Sequence, residues 1–338
     1  MPSNFAIAVL GAGAWGTALA AMLVQRGTRT TLCVRRETQL AAIEETRENS
    51  RYLPGVALPD RLGLTADWRS AISTADVIVV AIPSAHARAV LTPVADAIRG
   101  DAIVVSATKG IENDTLCTMT QMLAELVPQN AHVAVLSGPG FAAEVARGRP
   151  AALVAAASEE EMARRVQELF AMRSLRIYSS TDVAGVEICG AVKNVVAIAA
   201  GVSDGLELGS SARAAVITRG LAEIMRLVEA AGGRRETAAG LAGLGDLVLT
   251  CTGDLSRNRA VGLAFARGER PALDDSKSAD GGRPIAEGVA NSRSVRALAA
   301  KLNVEMPIVS AVYRGLYEGQ APNAMVDELL SRGLKAEF

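Results

Sequence analysis

The sequence predicts an α/β fold in which an N-terminal doubly wound domain with a parallel sheet is followed by an all-α C-terminal domain. Short β-rich runs alternate with helical patterns through about the first 180 residues, which is typical of βαβ units. The run Val77–Ile82 is apolar throughout, as expected for a central strand covered by helices on both faces. After about Thr181 the strand signal ends, and long Ala/Val/Leu-rich segments with helical spacing continue to the C-terminus.

Seven strands are expected, and they lie at residues 5–10, 29–34, 76–82, 101–106, 131–136, 151–156 and 174–178. The change of pattern places a domain boundary between residues 181 and 182. A chain of 338 residues, half of them apolar, has enough material for two hydrophobic cores. Residues 267–284 are polar and rich in Gly, Pro and Asp, and we interpret them as a surface loop or as a mobile flap.

Composition argues against several classes of protein. The formal net charge is −1 without blocks of like charge, which favours neither a nucleic-acid surface nor an anionic-membrane surface. No uninterrupted apolar stretch has the length of a membrane span, and the N-terminus lacks the basic region of a signal peptide. The four cysteines, Cys33, Cys117, Cys189 and Cys251, are scattered and have no neighbouring histidine. We therefore predict no metal site and no disulfide framework, but reduced thiols in the cytosol.

A glycine-rich motif follows the first predicted strand. Residues 11–16 read Gly-Ala-Gly-Ala-Trp-Gly, and a helical pattern begins at Thr17. In such a motif Gly11 permits the tight turn, Gly13 lets the backbone approach a pyrophosphate, and Gly16 lets helix and strand pack closely. The helix N-terminus adds N–H donors and a partial positive charge. Residues 1–181 are therefore predicted to form a Rossmann-type dinucleotide-binding domain.

The end of the second strand indicates which dinucleotide is bound. Arg35 and Arg36 stand where a site that prefers NAD places an acidic residue for the ribose 2′-hydroxyl. Two guanidinium groups suit a 2′-phosphate instead, through charge-assisted hydrogen bonds. We expect NADP(H) to be preferred and NAD(H) to be a possible cofactor. The alternative is an exposed basic strand end whose charge Glu37 partly neutralises.

The second half contains a lysine in apolar surroundings. Lys193 follows Cys189-Gly-Ala-Val at the start of a predicted helix that is otherwise apolar on every face. Such an ammonium group must have a counter-charge, have a lowered pKa or take part in the reaction. Because the fold implies hydride transfer, we expect Lys193, with Asn194 beside it, to act as general acid and base at a carbonyl oxygen. A purely structural buried lysine is the alternative.

A second polar cluster runs from Gly243 to Arg259. Ser256 is a candidate N-cap, which places Arg257 and Asn258 where free N–H groups and the helix dipole favour an anion. A phosphate fits this corner better than a carboxylate, which stays open as the alternative. Asp246 is the natural counter-charge for Lys193. Ordinary capping and a surface ion pair would explain the same residues without a ligand.

Two loops follow strands at the edge where doubly wound sheets bind ligands. Lys109 lies in Thr-Lys-Gly just past the strand that ends at Ser106. Gly138 and Gly140 lie in the turn after the strand that ends at Leu136, and their lack of side chains admits substrate or nicotinamide close to the backbone. Loop and cap chemistry is the alternative for both.

Together these motifs resemble the bacterial-type NAD(P)-dependent glycerol-3-phosphate dehydrogenase family, and the resemblance covers nearly the whole chain. The most specific part is Gly190–Leu221. Further agreement lies at residues 243–246, 256–259, 286–288 and 306–308, at Tyr313 and at residues 316–317.

The resemblance implies reversible hydride transfer between NAD(P)H and C2 of dihydroxyacetone phosphate, which gives sn-glycerol 3-phosphate for phospholipid synthesis. It implies that Lys193 is the proton donor and acceptor, in a helical substrate-binding and catalytic domain over residues 182–338. The family positions around the substrate match Lys109, Gly138, Asp246, Ser256, Arg257 and Asn258, and those that contact the cofactor match Trp15, Arg35, Arg36, Lys109, Ala142, Arg257, Ile285 and Glu287. We interpret Trp15 as covering the cofactor rather than the core. A cytoplasmic homodimer is also implied.

The chain departs from the family at three places. Ala14 replaces a frequent serine, Gly140 replaces serine or threonine, and residues 271–284 replace a stretch that is usually helical. Two other functions are alternatives. A β-hydroxyacid dehydrogenase would not need the corner at residues 256–258, and a catalytically silent NADP(H) sensor would not need Lys193, Asp246 and Lys109 together.

Overall fold

The computed structural model describes residues 5–273, 286–334 and 336. The strands are β1 Ala6–Leu10, β2 Arg29–Cys33, β3 Gly63–Thr65, β4 Val77–Val80, β5 Ile103–Ser106, β6 His132–Ser137, β7 Ala151–Ala157 and β8 Leu175–Ser180. Among these strands run the helices α1 Ala14–Gln25, α2 Glu37–Thr46, α3 Trp68–Ser73, α4 Ser84–Leu91, α5 Met119–Leu126, α6 Ala142–Ala146 and α7 Glu160–Phe170, and a 3₁₀ helix at Thr92–Ala97. After β8 come α8 Val183–Gly205, α9 Gly209–Ala230, α10 Arg235–Ala239, α11 Asp246–Thr252, α12 Arg257–Ala266, α13 Glu287–Lys301, α14 Pro307–Tyr313 and α15 Pro322–Leu330, with π-helical turns at Leu241–Gly245 and Arg314–Glu318.

The strands form one sheet in the order β3-β2-β1-β4-β5-β6-β7-β8. All seven predicted strands are present, and the predicted fold class is confirmed. The strand that the sequence did not reveal is β3, which has only three residues, Gly-Leu-Thr, at the edge of the sheet. Three residues are too few to show a periodic pattern.

The expectation of a parallel sheet is wrong at one pair, because β6 and β7 are antiparallel while every other neighbouring pair is parallel. The connection between them explains the exception. It contains only α6, a helix of five residues. At 1.5 Å per residue α6 is about 7.5 Å long, whereas a six-residue strand is about 20 Å long, so this connection has no crossover helix of the length that usually joins parallel strands.

Alternate residues of the central strand β1 enter two different cores. Ile7 and Val9 pack into a cluster on one face of the sheet, while Ala8 and Leu10 pack into a cluster on the other face. A strand buried on both faces must be apolar at every position, and this explains the uninterrupted apolar runs of the sequence. The strand order reverses between β1 and β4, and ligands of such sheets bind at the carboxyl ends of the strands at this point.

The chain divides into two compact units. The first comprises the chain up to Glu112 together with Cys117–Glu187, and the second comprises Asn113–Leu116 and the chain from Ile188 onward. The division therefore falls inside α8, a few residues after the predicted boundary. The functional assignment of the two predicted domains stays a prediction.

Lys193 is the eleventh residue of α8, so the prediction that it stands at the start of a helix is wrong. The helix begins ten residues earlier, where the Asp182 carboxylate accepts a hydrogen bond from the Gly185 N–H at 2.9 Å. Such a side chain satisfies one of the N–H groups that a helix start leaves unpaired. The apolar run around Lys193 hid this start signal.

Within the described part of the chain beyond Ser180, all regular structure is helical, as predicted. By length and composition α8 is apolar enough to cross a membrane, with a mean hydropathy of 1.7, but 89% of that window is buried within the protein. Burial of this kind is typical of the core helix of a soluble protein. The predicted cofactor residue Ile285, and residues 274–284 of the predicted loop or flap, lie outside the described residues.

Candidate active site

The glycine turn at residues 11–16 has the geometry that its motif predicts. Gly11 has a φ of 111°, and a Cβ there would lie 2.6 Å from the carbonyl oxygen of Ala81. A Cβ at Gly16 would lie 2.0 Å from the carbonyl oxygen of Gly11. The chain's own packing thus excludes side chains at both positions. At Gly13, by contrast, a Cβ would meet no atom within 4 Å, so the turn is open on one side. This open cradle at the start of α1 fits the pyrophosphate of a dinucleotide.

Trp15 lies inside this turn and is partly buried against two apolar clusters, so the expectation that it does not contact the core is wrong. The predicted cofactor residue Ala142, the first residue of α6, packs against the same small cluster, which includes Ala18 and Leu53. The indole Nε1 of Trp15 is buried and has no hydrogen-bond partner in the described chain. Contacts of Trp15 and Ala142 with a cofactor stay predictions.

Arg35 and Arg36 follow β2 directly. Arg35 is exposed, and Arg36 is half-buried at the N-cap of α2. Within the described ranges neither guanidinium has an ion-pair partner, so the neutralisation by Glu37 that the alternative invoked is not observed. Both positive charges are therefore available to an anion at this end of the sheet.

The loops after β5 and β6 meet at the carboxyl edge of these parallel neighbours. The ammonium group of Lys109 donates a hydrogen bond of 2.9 Å to the carbonyl oxygen of Gly138. The loop that carries Lys109 is held by Thr108, whose hydroxyl donates to the carbonyl oxygen of Ile82 at 2.7 Å. Gly138 has a φ of 133°, in the region that favours glycine. The structure thus brings together Lys109 and Gly138, which were predicted from separate motifs.

Gly140 is the third residue predicted in these two loops, and its nearest neighbours include Trp15. A Cβ at Gly140 would lie 3.5 Å from Cη2 of Trp15, which is an ordinary van der Waals distance. A serine or threonine side chain at this position would therefore start against the indole ring.

Lys193 is the centre of a buried polar group in the second unit. Its Nζ lies 2.8 Å from Oδ1 of Asp246 and 2.7 Å from Oγ1 of Thr250. The Lys193 and Asp246 side chains are 8% and 2% exposed, so water screens this ion pair little. The prediction that Asp246 is the counter-charge of Lys193 is confirmed.

The sequence placed Thr250 in the polar cluster between Gly243 and Arg259 but gave it no role at Lys193. Its hydroxyl donates to the carbonyl oxygen of Asp246 at 2.7 Å, which leaves an oxygen lone pair for the Lys193 ammonium. The spacing was a usable signal, because residues four apart on a helix share a face and both lie on α11. A π-helical turn at Leu241–Gly245 comes immediately before Asp246, and such turns occur frequently at functional sites.

Asn194, Asn258 and Glu287 form a second polar group that joins α8, α12 and α13. The Asn258 amide donates to Oδ1 of Asn194 at 2.8 Å, and its own oxygen accepts from the Gly288 N–H at 2.9 Å. The Asn194 amide nitrogen lies 3.5 Å from the carboxylate of Glu287, at the limit of a hydrogen bond. Three residues predicted to contact substrate or cofactor are thus brought together. The bonds observed here hold the helices to one another, and the ligand contacts stay predictions.

Ser256 is the N-cap of α12, as predicted, and its hydroxyl accepts a hydrogen bond from the Arg259 N–H at 3.2 Å. Arg257 is the first residue of this helix, is exposed, and has no ion-pair partner in the described chain. Arg259 is engaged with Asp204 at 2.7 Å. An unpaired guanidinium at a helix N-terminus is an arrangement that binds anions.

Thiol and metal chemistry find no support at these positions. Burial raises the pKa of both Cys33 and Cys251 to about 12, so both thiols stay protonated at neutral pH. Within residues 5–273, 286–334 and 336, no group of three or more His, Cys, Asp or Glu side chains is arranged to hold a metal ion. The residues described above can exchange a proton at a lysine, bind anions through arginines, and bind a nucleotide at a glycine turn.

Comparison with known proteins agrees with this set of features. Residues 6–163 match the model of the N-terminal domain of NAD-dependent glycerol-3-phosphate dehydrogenase, and residues 182–327 match the model of its C-terminal domain. The glycerol-3-phosphate dehydrogenase (NAD(P)+) of Citrifermentans bemidjiense is 48% identical over 333 residues, which cover 98% of each chain. The enzyme of the same name from Anaeromyxobacter dehalogenans is 48% identical over 332 residues, which cover 98% of this chain and 99% of the other.

The fold also matches that of a solved structure from the same family. The crystal structure of glycerol-3-phosphate dehydrogenase from Coxiella burnetii is 39% identical and has a TM-score of 0.91, with 97% of this chain and 99% of that chain covered. The matched ranges extend over both units of the chain. The chain belongs to the NAD-dependent glycerol-3-phosphate dehydrogenase family.

Proposed function

We propose that the protein is an oxidoreductase that reversibly reduces dihydroxyacetone phosphate to sn-glycerol 3-phosphate, with NADP(H) preferred over NAD(H). One observation carries the proposal: the buried Lys193 ammonium is held by Asp246 and Thr250 in a chain that belongs to this family over its whole length. The product is a precursor of glycerophospholipids.

The cofactor is assigned to the open glycine turn and to the basic end of β2. The proposed contacts are Gly11, Gly13, Trp15, Gly16, Arg35, Arg36, Lys109, Ala142, Arg257, Ile285 and Glu287. Support comes from the fit of the turn to a pyrophosphate and from the two unpaired guanidinium groups after β2. When bound, the nicotinamide supplies the hydride that is added to C2.

Lys193 is the proposed proton donor in reduction and acceptor in oxidation. Reduction of a ketone leaves negative charge on its oxygen, and an ammonium group beside that oxygen supplies the proton. Asp246 and Thr250 hold Nζ by two hydrogen bonds, which fixes its position. Asp246 thus acts through Lys193.

The substrate phosphate is assigned to the start of α12. Arg257 and the free N–H groups of this helix supply the positive charge, and binding the phosphate there orients the reacting carbonyl. Further substrate contacts are proposed for Lys109, Gly138 and Gly140 in the first unit, and for Lys193, Asn194, Asp246, Ser256 and Asn258 in the second. A carboxylate substrate would make less use of the Arg257 guanidinium, because that corner presents more donors than a carboxylate needs.

A spectrophotometric assay tests the proposal. Purified protein with NADPH and dihydroxyacetone phosphate is expected to show rapid loss of the NADPH absorbance, and with a β-keto acid of similar size it is expected to show only background loss. Product formed in the first reaction is expected to be sn-glycerol 3-phosphate. Absence of turnover by protein that binds NADPH would instead favour a silent dinucleotide sensor.

Arg35→Asp is expected to reverse the cofactor preference. The substitution removes a charge-assisted hydrogen bond to the 2′-phosphate and adds repulsion, so the ratio of kcat/KM for NADPH to that for NADH should fall by about 10²-fold. Steady-state kinetics with both cofactors measures the ratio. Arg29→Asp is the matched control, because Arg29 is exposed at the opposite end of the same strand. An unchanged ratio in Arg35→Asp would remove the 2′-phosphate assignment.

We also propose that the enzyme is a cytoplasmic homodimer. The four cysteines are free, which suits a reducing compartment. The apolar helix α8 is buried in the protein, as in soluble enzymes. The dimer rests on the family resemblance alone.

A further inference from the structure

We propose that the side-chain amides of Gln39 and Asn49 position the dinucleotide turn by holding the Ala12 carbonyl, so that the neighbouring Gly13 N–H faces the open side of the turn. This inference rests on the proposed function, because it assigns a role in cofactor binding. Neither residue belongs to the glycine motif, and neither was singled out by the sequence.

The Ala12 carbonyl oxygen accepts two side-chain hydrogen bonds from distant parts of the first unit. Nδ2 of Asn49 donates to it at 3.0 Å, and Nε2 of Gln39 donates to it at 2.9 Å. A carbonyl oxygen has two lone pairs, so these two donors satisfy it. Because Ala12 is buried, the loss of the donors would leave this oxygen without a partner.

Because the peptide bond is planar, the position of the Ala12 carbonyl also fixes the direction of the Gly13 N–H. In a trans peptide the C=O of one residue and the N–H of the next point in opposite directions. Since the Ala12 C=O points toward Asn49 and Gln39, the Gly13 N–H points away from them. A Cβ at Gly13 would meet no atom within 4 Å, so the chain itself leaves space beside this residue. The anchored peptide therefore presents a donor, rather than an acceptor, to an anion in the cradle.

The Asn49 and Gln39 side chains, which together anchor the Ala12 carbonyl, are themselves held by further hydrogen bonds. Asn49 is 1% exposed, and its Nδ2 also donates to Oγ1 of Thr17 in the first turn of α1, at 2.8 Å. Gln39 Nε2 lies 3.4 Å from the Asn49 side-chain oxygen. A fully satisfied buried network of this kind fixes one arrangement. An amide is required at both positions, since a carboxylate of the same size has no donor for Ala12 and adds negative charge beneath an anion site.

Four variants and two ligands test the inference. Asn49→Asp and Gln39→Glu keep side-chain size and replace the donor by a carboxylate oxygen, whereas Gln39→Met removes the donor without adding charge. Asn130→Asp, at an exposed position of the same unit, is the control for net charge. Binding of NADPH is measured by titration calorimetry, and 2′-AMP, which lacks the pyrophosphate, is measured by displacement of NADPH. Melting temperature is recorded for each variant.

The two carboxylate variants are expected to raise the Kd of NADPH at least tenfold, and Gln39→Met about threefold or more. The Kd of 2′-AMP should stay within twofold of the wild-type value in every variant. Likewise, kcat at saturating NADPH should stay within threefold, because the anchor acts on cofactor binding and not on proton transfer. Gln39 is half-buried on a helix, so its variants keep the inference testable if Asn49→Asp fails to fold.

Three results would overturn the inference: equal loss of NADPH and 2′-AMP binding, wild-type NADPH affinity in Gln39→Met, or an effect of Asn130→Asp as large as that of Asn49→Asp. Failure of the proposed function has a different signature. In that case the wild-type protein itself would bind no dinucleotide, or would bind NADPH without reducing dihydroxyacetone phosphate.

Discussion

Lys193→Ala is expected to lower kcat for the reduction of dihydroxyacetone phosphate by about 10²–10⁴-fold, while NADPH still binds with nearly its wild-type Kd. The substitution removes the group that delivers a proton to the substrate oxygen, and water cannot replace a donor fixed at 2.7–2.8 Å by Thr250 and Asp246. The measurements are steady-state kinetics and NADPH titration. A variant with near-normal turnover would show that Lys193 is a structural ion-pair partner only.

Stability must be separated from catalysis in this test. Lys193→Ala leaves the Asp246 carboxylate buried without its counter-charge, which costs about 3–5 kcal/mol of folding stability. The double variant Lys193→Ala, Asp246→Asn removes both charges and is expected to recover most of the melting temperature but none of the activity. Lys301→Ala, at an exposed position on α13, is the matched control and should keep wild-type kinetics.

Arg257→Ala is expected to lower kcat/KM for dihydroxyacetone phosphate by about 10–150-fold, the equivalent of about 1.5–3 kcal/mol for a hydrogen bond between charged groups. Reduction of unphosphorylated dihydroxyacetone, which is slow in the wild type, should change by less than about threefold, since it offers no phosphate to this arginine. The comparison of the two substrates under identical NADPH concentration is the measurement.

Arg267→Ala provides the control for this variant. Arg267 is exposed at the opposite end of the same helix, where the helix dipole disfavours an anion. Its replacement should leave both substrates unaffected. Equal losses with both substrates in Arg257→Ala would mean that Arg257 does not recognise the phosphate, and a raised Kd for NADPH would assign it to the cofactor instead.

Patterns in the sequence were sufficient where the physics is local or periodic. The apolar runs of β1 and β4 follow from burial on both faces, and the GxGxxG turn follows from a positive φ at Gly11 and the close approach at Gly16. The Ser256 cap is equally local, because its hydroxyl bonds an N–H three residues away. The edge strand β3 and the antiparallel direction of β7 were missed for the opposite reason. An edge strand of three residues has no period, and strand direction depends on the length of a connection rather than on the strand itself.

The residues of the candidate site also divide into those that local sequence patterns predict and those that only the packed structure brings together. The sequence by itself determined the fold class, the dinucleotide turn, and the residue types that carry charge and protons, because these depend on neighbours within a few positions. Only the tertiary structure decided that Thr250 contacts Lys193, that Trp15 packs against the core, and that Asn49 holds the Ala12 carbonyl. Those contacts join residues 32 or more positions apart, or depend on which side of a helix faces the core. No spacing rule in a single chain encodes such contacts. They form only when the elements pack together and exclude water, because each buried polar group must then form its hydrogen bonds within the protein.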